Sequence, residues 1–134
     1  MKMVGGFLNR LNNLGGRIMR VLEKILEEFI GACLKQEDSI KRGDSKTGNK
    51  QYRIIQGIRR DLKENPNYGL EKLSPFLEHP SANVRLTTAF TLIPILPEQA
   101  KEVLQELAAG RGTIAFNAEM TLSEWEKGNL KFED

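Results

Sequence analysis

Apolar residues return every three or four positions along most of this chain, and that spacing predicts helices. From Leu11 to Ile40 they fall at Leu11, Leu14, Ile18, Leu22, Ile25, Phe29, Cys33 and Ile40, one face of a long helix. Gly15 and Gly16 interrupt the pattern. Two glycines cost roughly 2 kcal/mol against alanine, so the firm helix is expected from Arg17 onward. Residues 1–16 then read as an arm or a separate short helix, and residues 17–134 as a single helical domain. Lys41, Arg42 and Gly43 make a natural end, because cations suit the negative helix terminus and glycine takes the left-handed closing conformation. The turn-rich DSKTGNK that follows predicts a loop, with Ser45, Thr47 or Asn49 capping the next helix.

A second helix is expected up to Lys63, with Ile54, Ile55, Ile58 and Leu62 inward and Asn65-Pro66-Asn67 stopping it. A third, YGLEKLSPFLEH, turns Leu70, Leu73, Phe76 and Leu77 inward, and Pro75 kinks or restarts it. HPSANVRLTTAFTLIPIL forms the fourth, with Ser81 as its cap. Pro97 suits the first turn of a fifth, whose stripe is Ala100, Val103, Leu104, Leu107 and Ala108, closed by Gly110. The sixth buries Ile114, Ala118, Leu122 and Trp125 and ends at Gly128. No stretch alternates with period two for long enough to compete as a strand, so the fold class is all-α. A shift of 30 residues aligns Ile54 with Val84 and Ile114, Leu62 with Leu92 and Leu122, Leu73 with Val103, and Leu77 with Leu107. Two helices per period predict a stacked array of helical hairpins, each covering its neighbour.

Within that array, HPSANVRLTTAFTLIPILPEQA resembles a HEAT-type repeat: a turn, Val84-Arg85, small residues, a leucine and a second amphipathic helix. IKRGD with Asn49 and Lys50, LSPFLEHPSANVRLTTAFTLIPILPEQA, and NAEMTLSEWEKG together resemble a small bacterial HEAT-like family. That family is catalogued as a domain of unknown function, number two thousand nineteen, and the resemblance covers roughly residues 25–130. Thr87 and Thr88 stand where such repeats usually carry small alanines, and an extra glycine follows Asp44. The resemblance implies a right-handed superhelical stack of antiparallel helix pairs. It implies structural roles for Trp125 and for Arg85, whose guanidinium would reach carboxylates or carbonyls of the adjacent unit. It implies a protein-binding scaffold, with immunity partners of bacterial toxins as the nearest analogy, and it supplies no activity.

With 134 residues, 40% of them hydrophobic, the chain is sized for one domain with a real core. The single cysteine, Cys33, allows no internal disulfide and no paired-cysteine metal site, which points to a reducing cytoplasm. Its place on the apolar stripe makes it a core residue rather than a nucleophile. The basic, apolar beginning is broken by Asn9, Arg10, Asn12, Asn13 and Arg17, unlike a secretory signal, and the apolar runs are too short to span a membrane. Lys2, Arg10, Arg17 and Arg20 beside Phe7, Leu8, Leu11, Leu14 and Ile18 suit a helix capping the open end of the stack better than one lying on a membrane surface.

The net charge of +2 conceals a polarity: residues 1–60 hold 13 Lys or Arg against 6 Asp or Glu, and residues 61–134 hold 7 against 12. Glu98, Glu102 and Glu106 recur along one helix face, and Glu119, Glu124, Glu126, Asp61 and Glu64 extend an acidic docking strip if the stack aligns them. Such a strip would attract a basic protein, such as a basic toxin domain. Lys50, Tyr52, Arg53, Arg59 and Arg60 form the alternative, a nucleic-acid surface. His79, the sole histidine, precedes Pro80 in a turn without a recognisable acid–base partner. GNKQYR and GRGTIAF lack phosphate-loop spacing. The expectation is a non-enzymatic, metal-free and cofactor-free protein-binding module, most concretely an immunity-type protein, with nucleic-acid binding as the alternative.

Overall fold

The computed structural model describes the backbone of residues 4–130, and side chains from Leu22 onward. It holds six helices and, among the described residues, no strand: α1 (Val4–Arg42), α2 (Ser45–Glu64), a 3-10 segment (Leu70–Glu78), α3 (Ala82–Leu92), α4 (Pro97–Ala108) and α5 (Thr113–Glu126). The backbone of α1 runs helical through Gly15 and Gly16, where a break was expected. Two glycines weaken a helix without forbidding it, because each flanking turn adds its own hydrogen bonds. The end-capping role expected of Phe7, Leu8, Leu11, Leu14 and Ile18 lies outside the described side chains.

The α1–α2 connection is tighter than DSKTGNK suggested. Gly43 closes α1 at φ 70°, its N–H reaching the Ile40 carbonyl at 3.2 Å, while the Asp44 N–H reaches the Ser39 carbonyl at 2.8 Å. Asp44 then caps α2 by accepting the Thr47 N–H at 3.1 Å, so the expected loop is the first turn of a helix and the expected caps Ser45, Thr47 and Asn49 lie inside it. The Thr47 hydroxyl and amide hold the Asp44 carboxyl below its usual range. Along α2 the buried row is Gln51, Ile55, Ile58 and Leu62, whereas Ile54 is 39% exposed. Ile54 precedes Ile55 by one residue, about 100° around the helix, and only one of the two can face inward. At Gly48 the backbone of α2 lies close to α1: a Cβ there would be 3.0 Å from the Ser39 hydroxyl oxygen.

Ser81 caps α3 as expected, accepting the Val84 N–H at 3.2 Å. Pro97 begins α4, and its inward stripe is Ala100, Val103, Leu104 and Leu107. On α5 the fully covered residues are Ala115 and Ala118, while Ile114, Leu122 and Trp125 are half-buried. Consecutive helices pack on one another, and α3 touches both α1 and α5. Two apolar clusters result. The first joins Phe29, Ala32 and Cys33 of α1 to Ile55, Ile58 and Leu62 of α2, Leu73 and Val84; Phe29 also stacks on Phe76 at 6.1 Å between ring centroids. The second joins Leu77, Ala89, Leu92, Ile93, Ala100, Val103, Leu104, Leu107 and Ala118. Helix α3 is the wall between them, giving Val84 to one and Leu92 to the other. In the 30-residue register Leu62 and Leu92, Leu73 and Val103, and Leu77 and Leu107 are all buried, whereas Leu122, aligned with Leu62, and Ile114, aligned with Val84, are half-buried and Ile54 is exposed.

Candidate functional site

Between α1, α2, α3 and α5 lies a hollow of about 220 Å³ in which amide and hydroxyl groups alternate with the aromatic rings of Tyr52 and Phe90 and the aliphatic side chains of Ile40, Ile55 and Leu86. Gln36 comes from α1, Tyr52 and Arg59 from α2, Asn83, Thr87 and Phe90 from α3, and Asn117 and Thr121 from α5. Gln36, Ile40 and Tyr52 also line an adjoining hollow of about 390 Å³ bounded by Asp44, Gly48 and Asn49, so the two form one groove. These polar side chains reach the groove because α3 gives its apolar residues to two cores and turns Asn83 and Thr87 toward α1.

The floor is held by a network rather than by packing alone. Asn83 is only 2% exposed, and its Nδ2 donates to the Cys33 carbonyl at 2.8 Å and to Gln36 Oε1 at 3.0 Å. A buried amide left unbonded would be costly, so these contacts fix both side chains. Arg59 Nε donates to Thr91 Oγ1 at 2.7 Å, Thr91 donates onward to the Thr87 carbonyl at 2.7 Å, and the guanidinium lies 5.2 Å from the Phe90 ring centre. Tyr52 accepts a hydrogen bond from Gln56 at 3.1 Å, and Thr121 donates to the Asn117 carbonyl at 2.8 Å. Burial pushes the Cys33 thiol up to about 11, outweighing the Thr87 hydrogen bond and the Arg59 charge that pull the other way. Cys33 is therefore a neutral core residue at pH 7, as its place on the stripe suggested.

A larger hollow of about 660 Å³ lies beside the start of α3, where Glu37, Lys41, Arg85, Glu106 and Arg111 bring mixed charges together. Among the described residues Arg85 bonds within its own turn and not, as expected, to a further unit. Its Nη1 donates to the carbonyls of His79 and Pro80 at 2.7 and 3.1 Å, clamping the turn that starts its own helix. The planar fork of donors suits the two successive carbonyls of that turn. In the same turn His79 Nδ1 accepts the Ser81 N–H at 2.9 Å, and the Ser81 hydroxyl donates to Glu37 at 2.6 Å, tying the turn to α1. Trp125 packs against the second core.

The eight carboxylates expected to form a strip are divided. Glu98, Glu102 and Glu106 do lie along the exposed face of α4, with Glu106 at the edge of the charged hollow. Glu119 and Glu126 border a shallow depression on α5 beside Lys127, and Glu124 faces Lys127 at 3.8 Å. Asp61 and Glu64 lie on the last turn of α2, a helix that packs on α1 and the 3-10 segment. Of the basic set, Lys50, Arg53 and Arg60 are exposed on α2, while Tyr52 and Arg59 border the groove. Among the described residues no group of three or more His, Cys, Asp or Glu is placed to hold a metal ion, and no helix is long and apolar enough to cross a membrane.

Gln36, Asn83, Thr87, Asn117 and Thr121 carry the groove, and apolar periodicity passes over them. A signal exists nonetheless: Asn83-Val-Arg-Leu-Thr87 and Asn117-Ala-Glu-Met-Thr121 place the same pair four residues apart on two inner helices, 34 residues from one to the next.

A comparison with curated proteins finds no match. Among solved structures, the protein RPA1889 from Rhodopseudomonas palustris CGA009 is similar, with a TM-score of 0.77 at 21% identity over 83% of this chain and 93% of that one. At that identity the likeness shows a shared fold. Over residues 23–126 the sequence matches the family described as Domain of unknown function (DUF2019), and the chain belongs to that family.

Proposed function

We propose that this chain is a non-enzymatic protein-binding module of HEAT-like build, most concretely an immunity-type protein that binds and neutralises a cognate bacterial toxin in the cytoplasm. The observation that carries this reading is the groove, which four helices line with aliphatic and aromatic side chains interspersed with neutral hydrogen-bonding groups and whose one cation, Arg59, is already bonded to Thr91. Aromatic side chains and arginine are the groups that anchor protein partners, and amides and hydroxyls supply hydrogen bonds at a rim. The exposed row Glu98, Glu102 and Glu106 on α4 adds attraction for a basic partner, raising its rate of encounter.

Affinity capture with chemical cross-linking from native cell extract tests this. The unaltered chain should retain one protein in stoichiometric amount. Asn117→Trp, which fills the groove, should release it, and the triple change Glu98→Lys, Glu102→Lys, Glu106→Lys should slow its association. Equal capture by all three would remove both surfaces from consideration. Exposed Lys50, Arg53 and Arg60 near Tyr52 support the second reading, nucleic-acid binding by α2. A labelled oligonucleotide titrated at two salt concentrations distinguishes it, since phosphate contacts weaken steeply as salt rises.

A further inference from the structure

We infer that the hollow between α1, α2, α3 and α5 receives one tyrosine side chain of the partner protein, its ring against the aliphatic and aromatic walls and its hydroxyl bonded to the Asn117 side chain. This rests on the protein-binding reading above and names the residue that anchors the partner. A cavity of about 150 Å³ holds benzene, so a hollow of about 220 Å³ has room for one substituted ring. Sites for whole small molecules begin at about 300 Å³. Ile40, Ile55 and Leu86, with the rings of Tyr52 and Phe90, give an incoming ring its apolar contacts. The remaining polar groups of the lining are mostly engaged. Asn83 holds the Gln36 Oε1 at 3.0 Å and the Cys33 carbonyl at 2.8 Å, the Thr87 hydroxyl meets the Cys33 thiol, and Thr121 donates to the Asn117 carbonyl at 2.8 Å. Asn117 stands apart, because its side-chain amide has no hydrogen-bond partner among the described residues.

Charge and hydrogen-bonding chemistry then choose among side chains. No carboxylate lines the hollow to meet a lysine or arginine, and its one cation, Arg59, is bonded to Thr91 and lies against the Phe90 ring. A charged side chain would therefore give up its hydration for little return. Leucine or phenylalanine would suit the apolar walls, but either would cover the Asn117 amide and leave its donors and acceptor unpaired. An indole can only donate. A phenol hydroxyl both donates and accepts, which matches a primary amide with its two donors and one acceptor. Tyrosine is the side chain that answers the size, the neutrality and the amide together, whatever backbone conformation presents it.

N-acetyltyrosinamide titrated into the isotope-labelled full chain provides the test, with N-acetylphenylalaninamide as the control and the Asn117 side-chain NH2 signals followed by NMR. The tyrosine derivative should bind saturably and about fivefold to tenfold more tightly than the phenylalanine derivative, the usual effect of one hydrogen bond. Asn117→Ala should reduce that preference to about unity by weakening the tyrosine derivative alone, and Asn117→Trp should exclude both. Circular dichroism and thermal melting should show both variants folded, and the preference of the unaltered chain is a test that needs neither. Absence of saturable binding, equal affinity for the two derivatives, or a preference that survives Asn117→Ala would each overturn the inference. Capture of a partner that Asn117→Trp releases, alongside equal affinity for the two derivatives, would leave the protein-binding reading standing and remove only the tyrosine anchor. Tyrosine selectivity with no protein retained from extract would remove the protein-binding reading and leave only a phenol-selective site.

Discussion

The two apolar clusters differ in what surrounds them. The buried members of the second are all aliphatic, Leu92, Leu104, Leu107 and small alanines among them, with Phe90 and Trp125 packed at its edge, and it takes its inward stripe from the acidic helix α4. The first holds the stacked pair Phe29 and Phe76, and near it lie the buried polar residues Ser39, Gln51 and Asn83. An aliphatic cluster contributes stability and little else, whereas buried polar groups demand exact partners and thereby fix geometry. The hydrogen-bonded precision lies where Asn83 meets Cys33 and Gln36, on the side of α3 that faces α1, while Leu86 and Phe90 join the groove to the second cluster. Helix α3 serves both sides, so the clusters should behave as one cooperative unit.

The severest way to break that view is to remove the centre of each cluster in turn. Phe29→Ala should cost about 3–5 kcal/mol and Leu104→Ala about 2–5 kcal/mol. In urea, each variant should unfold in one transition that coincides by circular dichroism and by the fluorescence of Trp125, the sole tryptophan, which sits against the second cluster. A Phe29→Ala protein whose Trp125 signal survives after half its helicity has gone would show two separate units. Next in size is a pH effect confined to the first cluster. The Cys33 thiol ionises near 9.0 in the ordinary state and at about 11 in the fold. Its contribution is fully present below pH 9, because both states then hold the proton. Between 9 and 11 the unfolded chain releases it first, and stability falls by an amount on the order of 2–3 kcal/mol. Urea melts across that range should show a steeper decline for the unaltered chain than for Cys33→Ala.

Asn83→Ala should cost about 1–3 kcal/mol, since it takes a partner from the Cys33 carbonyl and from Gln36, and thermal melting reads it directly. The smallest effect has the opposite sign. The Thr88 hydroxyl is buried without a hydrogen-bond partner among the described residues, so Thr88→Val should stabilise the protein by about 1 kcal/mol, visible as a raised melting temperature.

Much of the fold is legible in the residues that define helix faces and ends. Ser81, Pro97, Gly43 and the stripe from Ala100 to Leu107 act through contacts within a few residues of themselves, and each does what its spacing implies. Asp44 is harder to read because cap residues and loop residues are the same chemical types, so DSKTGNK fits either a loop or a first turn. Gln51 hides the α2 stripe, being a polar residue at a buried position, and Ile54 mimics it from the exposed side. The groove is least legible. Helix α3 is covered on two sides, so it shows no single apolar stripe, and the polar face that remains looks like an ordinary solvated one. Whether carboxylates on α2, α4 and α5 align depends on which helices become neighbours, and that is decided by packing between segments distant in sequence.

Gly48 gives the groove its mechanical character. Because that position has no Cβ, the backbone of α2 settles against the Ser39 hydroxyl of α1, and Gly48 also borders the groove at that end. The contact joins α1 and α2 where the groove begins. A methyl group at residue 48 would press on the Ser39 hydroxyl, which would have to give by a few tenths of an ångström, so the fit at the root of the groove hangs on that one side chain.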